Sequence, residues 1–186
     1  MGIHALCLPG HKGLLGPQGS GSLILSPDLY ADTLMEGGSG FNSLDEAMPE
    51  ESPERYEAGT LATPAIAGLR EGIRFLSEVG IEAVEERASE LCQLMRERLE
   101  ALSGVAVYAP RHRGSILLFS CGIPSDVVGA ELDKRGICVR AGFHCAALAH
   151  RTLETPADGA VRVSTGFFNR PSDADALWKA MKEILK

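Results

Sequence analysis

The 186-residue sequence contains no apolar run long enough to cross a membrane and no patch rich in lysine and arginine. A membrane span needs about 20 predominantly apolar residues. Nucleic-acid binding ordinarily uses a basic surface, whereas the net charge here is −7. The short apolar stretch after Met1 has no basic flank, so we expect no signal peptide. These absences predict a cytoplasmic protein without membrane or nucleic-acid partners.

Metal sites and disulfides are not indicated either. The five cysteines form no CxxC pair and no zinc-ligand spacing, and their number is odd. His4, His112 and His150 have no companions at ligand spacing, so we expect no metal site. Most thiols are predicted to be reduced and inert, as free cysteines in a protein core usually are. Those expected to be inert are Cys7, Cys92, Cys121 and Cys138.

Glycine, by contrast, is abundant. The 21 glycines include two clusters, one from Gly10 to Gly21 and one from Gly37 to Gly40. Glycine lets the backbone approach a ligand closely and adopts positive φ without strain. Two such loops close together in the sequence suggest a binding site. The apolar content of 45% and the charged content of 23% are ordinary for a globular protein with a sizeable core.

The first 80 residues are predicted to combine two strands, a long irregular segment and a helix. Residues 3–8 and 22–25 are apolar runs that end at Pro-Gly and Ser-Pro-Asp, which indicates strands. Residues 36–62 have few apolar anchors, and an irregular segment of that length is usually functional. Thr63-Pro64 predicts the start of a helix, with threonine as N-cap and proline at the first helical position. Gly80 should end it.

The clearest predicted element is an amphipathic helix over residues 81–102, whose apolar positions recur at steps of three and four. Beyond it, short strands alternate with helices. The strands are expected at 105–108, 115–120, 137–139 and 160–164, and a helix at 124–135. Ser172-x-x-Asp175 indicates a capping box for the last helix. We therefore predict a compact α/β domain over 104–186, a linking helix over 81–103, and a separate part over 1–80.

Two residues stand in settings that suit covalent chemistry. Lys12 lies beside His11 at the mouth of the glycine-rich loop, directly after a predicted strand, where partial burial could make its amine reactive. Cys145 follows His144 and lies five residues after Arg140. Arginine and histidine neighbours favour the thiolate form of a cysteine. A solvated lysine and a small buried cysteine are the alternative interpretations.

Arg140 and Arg162 each lie at a short predicted strand of the C-terminal part. Arginine is the side chain best suited to bidentate recognition of a carboxylate. A carboxylate-binding role and a plain surface position both remain open for each arginine.

Four segments carry a resemblance over nearly the whole chain. They are His11-Lys12 with Gly16-Pro17-x-Gly19, Glu57-Ala58-Gly59-Thr60 before Thr63-Pro64, Arg140-x-Gly142-x-His144-Cys145-Ala146, and Val161-Arg162-Val163-Ser164 with Phe168-Asn169. In order and spacing they resemble the C-terminal half of the pyridoxal-phosphate-dependent cysteine desulfurases of the class V aminotransferase family. The resemblance implies an α/β fold. Specifically, it implies a partial fold-type-I transferase with a remnant of the large cofactor domain in 1–80 and the small C-terminal domain in 104–186.

The resemblance also implies roles for individual residues. Lys12, next to His11, would hold pyridoxal 5'-phosphate covalently. Thr60 would reach a cofactor phosphate across the interface of a homodimer. Arg162, with Arg140 close by, would bind the carboxylate of the substrate.

The implied reaction converts L-cysteine to L-alanine and leaves the sulfur as a persulfide on Cys145, from which a sulfur-acceptor protein would take it. Family members are much longer, and the residues that contact the pyridine ring and most of the phosphate would precede Lys12. Leu61-Ala62 replaces the usual Pro-Asn, and Phe143 stands where one branch has a second histidine. We therefore expect little or no turnover from these 186 residues alone.

Three alternatives stay open. The first is another class V enzyme, such as a selenocysteine lyase or a small-amino-acid aminotransferase. The second is an inactive truncated chain, or a fragment that folds only with a partner. The third is a thiol carrier that uses Cys145 without a cofactor.

Overall fold

The computed structural model describes residues 2–40, 42, 44–108 and 114–186. The chain divides into two compact units, Met1–Val79 and Gly80–Lys186. Both contain helices and antiparallel strands, so the predicted mixed α/β class is confirmed. No helix in the described part of the chain is both long and apolar enough to span a membrane.

The first unit begins with a hairpin. Strands β1 (Ala5–Pro9) and β2 (Gly21–Leu25) are antiparallel, so both predicted strands are confirmed with slightly shifted bounds. The amide of Gly10 donates to the carbonyl of Ser20 at 2.9 Å, which continues the ladder into the loop between the strands. This hydrogen bond therefore fixes the two ends of the loop, at Gly10 and Ser20.

Helix α1 (Thr63–Val79) closes the first unit, as predicted, and Gly80 follows it with φ +93°. The prediction that Thr63 is the N-cap is wrong. Thr63 is the first helical residue, and its hydroxyl donates to the carbonyl of Leu61 at 3.4 Å. The described residues between β2 and α1 are irregular, as expected, apart from a 3₁₀ helix at Glu54–Tyr56.

The second unit is built on a four-stranded antiparallel sheet in the order β3-β4-β6-β5. Its strands are β3 (Ala106–Tyr108), β4 (Ile116–Ser120), β5 (Arg140–Gly142) and β6 (Ala160–Ser164). Alternate residues of β4 and β6, including Phe119 and Val161, are buried on one face. Arg162 lies between two such buried residues and therefore on the opposite face.

Three helices cover the buried face of this sheet: α2 (Ile81–Glu100), α3 (Ser125–Asp133) and α5 (Pro171–Ile184). A short fourth helix, α4 (Ala147–Thr152), follows β5 in the chain. Helix α2 packs against α5, β3 and β4, while α3 packs against β5, β6 and α5. Leu99, Leu132 and Met181 are fully buried between them. Helix α2, which the sequence suggested as a link, thus contributes to the core of the second unit.

Several predictions for the second unit are wrong. Residues 137–139 form no strand, and β5 begins only at Arg140, because the strand is defined by pairing with β6 and not by the apolar run before it. The short helix α4 was not predicted. The capping box at the start of α5 uses Asp173 and not Asp175: its carboxylate accepts from the amide of Arg170 at 3.0 Å. Asp175 instead pairs with Arg98 at 2.5 Å.

The cysteines divide differently from the expectation. Cys92 and Cys121 are buried, as predicted, and burial raises the pKa of the Cys92 thiol, partly offset by the charge of Arg96. Cys7 and Cys138 are exposed, so their assignment to the core is wrong. Cys7 lies in β1, in which all residues but one are exposed. Cys138 lies in residues 137–139, which form no strand.

Candidate active site

Lys12 lies in the turn that directly follows β1, as the sequence predicted, and its side chain is exposed. The turn is fixed by hydrogen bonds within the backbone. The amide of Leu15 donates to the carbonyl of Lys12 at 3.0 Å, and that of Gly16 donates to the carbonyl of Gly10 at 2.8 Å. Leu15 has φ +57°, an uncommon conformation for a residue with a side chain. The lysine amine is therefore presented to solvent from a tightly bent, well-anchored loop.

Helix α1 supports this turn through two glycines one helical turn apart. A Cβ atom at Gly72 would lie 2.3 Å from the carbonyl oxygen of Leu14, and one at Gly68 would lie 2.5 Å from the ring of Pro17. Contacts that short do not occur between real atoms, so only glycine allows the helix backbone to approach the loop. The packing of α1 therefore depends on these glycines and restrains the turn that carries Lys12.

Thr60 and the second glycine cluster come together elsewhere in the first unit. The amide of Gly59, with φ +83°, donates to the carbonyl of Gly38 at 2.9 Å. Thr60 follows immediately and is exposed. His11, beside Lys12, is also exposed. The two glycine clusters that the sequence indicated therefore each border a residue that the resemblance assigns to the cofactor.

Cys145 lies in a turn between β5 and α4, with its side chain exposed. His144 and Cys145 have φ values of +54° and +57°, and Gly142 has φ +95°. Two consecutive side-chain-bearing residues in the left-handed region are strained, and such strain persists only where surrounding contacts hold it. The thiol is thus exposed on a turn whose backbone conformation is uncommon.

The His144 ring is fixed by hydrogen bonds on both nitrogens. Its Nε2 lies 2.8 Å from the carbonyl oxygen of Arg140, and its Nδ1 lies 3.1 Å from Nε2 of His150. Burial holds the pKa of His144 below its ordinary value. The hydrogen bond to Arg140 opposes that shift, and the positive charges of His150, Arg162 and Arg140 add to it. His144 is therefore favoured as a neutral ring beside the thiol.

Arg140 and Arg162 are direct register partners on β5 and β6. Arg140 is exposed and Arg162 is half-buried. The Nε of Arg162 is a buried donor with no partner among the described residues. Two guanidinium groups on one face of a sheet are able to bind an anion together, and a carboxylate is the anion that arginine recognises with two hydrogen bonds. The carboxylate-binding role predicted for them has a suitable arrangement here.

His150 is a feature that sequence reasoning missed. It was considered only as a metal ligand, yet it is buried in α4 and bonds to His144. No group of three or more metal-ligating side chains occurs among the described residues. His112, also considered as a metal ligand, lies outside them. A separation of six residues is not a helical face spacing, so no local signal could have paired these histidines.

The candidate residues divide between the two units. His11, Lys12 and Thr60 belong to the first, whereas Cys145 and the two arginines belong to the second. An amine and a hydroxyl are thus carried by one unit, and a thiol with an anion-binding pair by the other.

These features occur in a chain that belongs to the aminotransferase class-V family, whose family model matches residues 1–177. Within that family, the chain is similar to cysteine desulfurases. A probable cysteine desulfurase of Methanothermobacter thermautotrophicus is 31% identical over 193 residues, which cover 99% of this chain and 48% of the relative. Another, from Aeropyrum pernix, is 33% identical and is covered over 48% of its length.

Solved structures agree with the sequence comparison. The cysteine desulfurase CsdA of Escherichia coli, in an S-sulfonic acid form, matches with a TM-score of 0.86 at 28% identity, over 98% of this chain and 46% of that chain. The apo cysteine desulfurase of Thermococcus onnurineus NA1 matches with a TM-score of 0.78 at 30% identity. The fold is therefore part of a fold-type-I transferase. The chain spans about half the length of the relatives it matches.

Proposed function

We infer that this chain forms part of a pyridoxal-phosphate-dependent cysteine desulfurase, which converts L-cysteine to L-alanine and leaves a persulfide on Cys145. The proposal depends mainly on the setting of Cys145, which is exposed on a strained, hydrogen-bonded turn. The turn follows strand β5, and Arg140 on that strand pairs with Arg162 on β6. A nucleophile in the turn after β5 and an arginine pair on β5 and β6 are groups that sulfur abstraction from an amino acid would use. The family membership supports the same chemistry.

The residues fit part of the implied cofactor. Lys12 offers an exposed amine on an anchored turn, and His11 and Thr60 offer further polar groups in the same unit. Residues 2–11 carry no carboxylate, so the acidic partner of the pyridine nitrogen is not among the residues that precede Lys12 here. Bound pyridoxal phosphate would supply an electron sink for the negative charge that develops on the substrate carbon.

The chain's own residues would divide the remaining work. Lys12 would hold the cofactor and then move the proton at the substrate Cα. Arg162 and Arg140 would orient the substrate through its carboxylate. The Cys145 thiolate would attack the substrate sulfur, so that an S–S bond forms as the C–S bond breaks and the carbon gains a proton. Thr60 would contact the cofactor phosphate across a homodimer interface.

Further parts of the proposal concern the setting. In the whole protein, residues 1–80 would belong to the cofactor domain, 81–103 would be the linking helix and 104–186 would form the small domain. The protein would act in the cytoplasm and pass its sulfur to an acceptor protein. These assignments rest on the family resemblance.

Trapping experiments test the two covalent roles separately. The purified chain is mixed with pyridoxal phosphate, reduced with borohydride and mapped by mass spectrometry. Lys12 should be labelled at lower cofactor concentration than two other exposed lysines, Lys134 just after α3 and Lys182 in α5. Equal labelling of all three would contradict the role of Lys12.

The thiol role is tested by alkylation at neutral pH with limiting iodoacetamide. Cys145 should react before the other exposed thiols, Cys7 and Cys138, because it lies in an exposed turn that follows the strand bearing Arg140, which pairs with Arg162, and positive charge favours the thiolate. Preferential labelling of Cys7 or Cys138 counts against the sulfur-accepting role.

Alanine release from L-cysteine should be slight for the chain alone. If release persists in Cys145→Ser but is lost in Lys12→Ala, another class V reaction is favoured.

A further inference from the structure

A continuous chain of hydrogen bonds leads from Thr155 to the turn that carries Cys145. Thr155 Oγ1 lies 2.9 Å from His150 Nδ1, His150 Nε2 lies 3.1 Å from His144 Nδ1, and His144 Nε2 lies 2.8 Å from the carbonyl oxygen of Arg140. The chain therefore begins beyond α4, passes through the only buried histidine in the described part of the molecule, and ends on β5.

The direction of this chain follows from its last acceptor. A carbonyl oxygen only accepts, so His144 must donate from Nε2. In a neutral ring, Nδ1 is then an acceptor, and His150 must donate to it from its own Nε2. His150 Nδ1 is in turn an acceptor, and the Thr155 hydroxyl donates to it. With both rings neutral, every proton in the chain has one allowed position.

His150 is itself held from several sides. It is 4% exposed, and its backbone amide donates to the carbonyl of Ala146 at 3.1 Å. The amide of Thr155 donates back to the carbonyl of His150 at 3.1 Å, and the ring of Phe143 meets the His150 ring edge-on at 5.3 Å. A buried ring with both nitrogens bonded has no freedom to change its orientation.

We propose that His150 is a positioning residue for the sulfur-accepting cysteine: through this one-way chain it fixes His144 and keeps the left-handed turn that presents Cys145. The inference rests on the proposed function for the importance of Cys145, but not for the geometry. His144 and Cys145 are adjacent and both strained, so the bonds on the His144 ring are contacts able to hold that strain.

The first test is spectroscopic and uses the unaltered chain. Histidine labelled with nitrogen-15 reports which ring nitrogen carries the proton in each side chain. In their neutral forms, His144 and His150 should both carry the ring proton on Nε2. A proton on Nδ1 of either ring, or rapid exchange between the two positions, overturns the proposal.

The second test measures the alkylation rate of Cys145 in matched variants. Thr155→Val removes the hydroxyl at the start of the chain with little change of shape, and it should slow alkylation roughly three- to tenfold, the range expected for one net hydrogen bond. Thr152→Val is the control, because its hydroxyl donates to the carbonyl of Leu148 on α4 and lies outside the chain. Equal rates in the two variants overturn the proposal.

Replacement of His150 itself provides a rescue test. His150→Phe keeps a ring against Phe143 but removes the donor, whereas the amide of His150→Gln can still donate to His144. The glutamine variant should keep His144 protonated on Nε2 and alkylate faster than the phenylalanine variant. The reverse order contradicts the proposal. Neither measurement involves cofactor or substrate, so failure of the desulfurase proposal would appear in the Lys12 and alanine assays and leave these results unchanged.

Discussion

Arg140 and Arg162 face each other as register partners across β5 and β6, two like charges on the same side of one sheet. Like charges directly opposite each other on neighbouring strands lower stability. The buried Nε of Arg162 finds no acceptor among the described residues, so the pair is incomplete by itself. A bound anion would offset the repulsion between the two arginines and would accept a hydrogen bond from the Arg162 Nε.

Removal of one arginine should therefore relieve the fold while weakening anion binding. In low salt, Arg140→Gln should leave the free energy of unfolding unchanged or raise it by up to about 1 kcal/mol, and the difference should shrink in high salt. Added sulfate should stabilise the wild type more than the variant. Urea unfolding measures both effects. Arg151→Gln, an exposed arginine on α4, is the control, and an equal sulfate response in all three proteins would argue against an anion site.

Gly72→Ala should destabilise the first unit, although alanine is the better helix former by about 1 kcal/mol. The added methyl would overlap the carbonyl of Leu14, so α1 would have to move away from the turn that bears Lys12. Hydrogen exchange of the amides of Leu15 and Gly16 measures the effect directly. Ser77→Ala, an exposed change on the same helix, should leave exchange unaffected. Slower exchange in Gly72→Ala would contradict the packing described.

The cap of α5 should give a defined pH dependence. Hydrogen bonds from Asn169 and from the Arg170 amide hold the pKa of Asp173 below its usual value. Its stabilising contribution is thus present above the unfolded pKa of about 3.9 and is lost as pH falls through the lower folded value. Asp173→Ala removes the carboxylate of the capping box and should lower the free energy of unfolding by about 1 kcal/mol at neutral pH, the net contribution of one hydrogen bond, and the difference from wild type should vanish in acid. Asp133→Ala, at the end of α3, should show no such cost.

Acidification should also weaken the second unit through His144. Because burial lowers its folded-state pKa, the unfolded chain binds more protons just below the ordinary value of about 6.5. Stability should therefore rise with pH through that window and fall on acidification. The positive charges of Arg140 and Arg162, which face the ring, add to this lowering of the His144 pKa, as does any charge on His150. Unfolding of wild type and His144→Gln at several pH values should show the larger loss in wild type, and parallel losses would refute this linkage.

Much of the fold could be predicted because local patterns determine it. The three- and four-residue periodicity of α2 and the alternation in β6 each specify an element without reference to partners. The strand Ala160–Ser164 and the end of α1 at Gly80 were found at the predicted residues.

The region around Cys145 was predicted less well for physical reasons. Strand β5 consists of arginine, alanine and glycine, which have little preference for strands, and it exists because β6 pairs with it. Helix α4 has six residues and no side-chain cap, so no start signal or periodicity in the sequence predicts it. The link between His144 and His150 needs two residues in the left-handed region, which sequence rules assign to glycine.

Among the described residues, the buried cluster of the second unit consists of residues of that unit, from Cys92 to Leu185. The thiol and the guanidinium pair are therefore carried by a unit with its own core, whereas the amine belongs to the other unit. Substitutions that alter the thiol or the arginines can thus leave the fold around Lys12 unchanged. A related enzyme without sulfur abstraction could lack Cys145 and its histidine partners and still keep the amino-acid recognition proposed for Arg162.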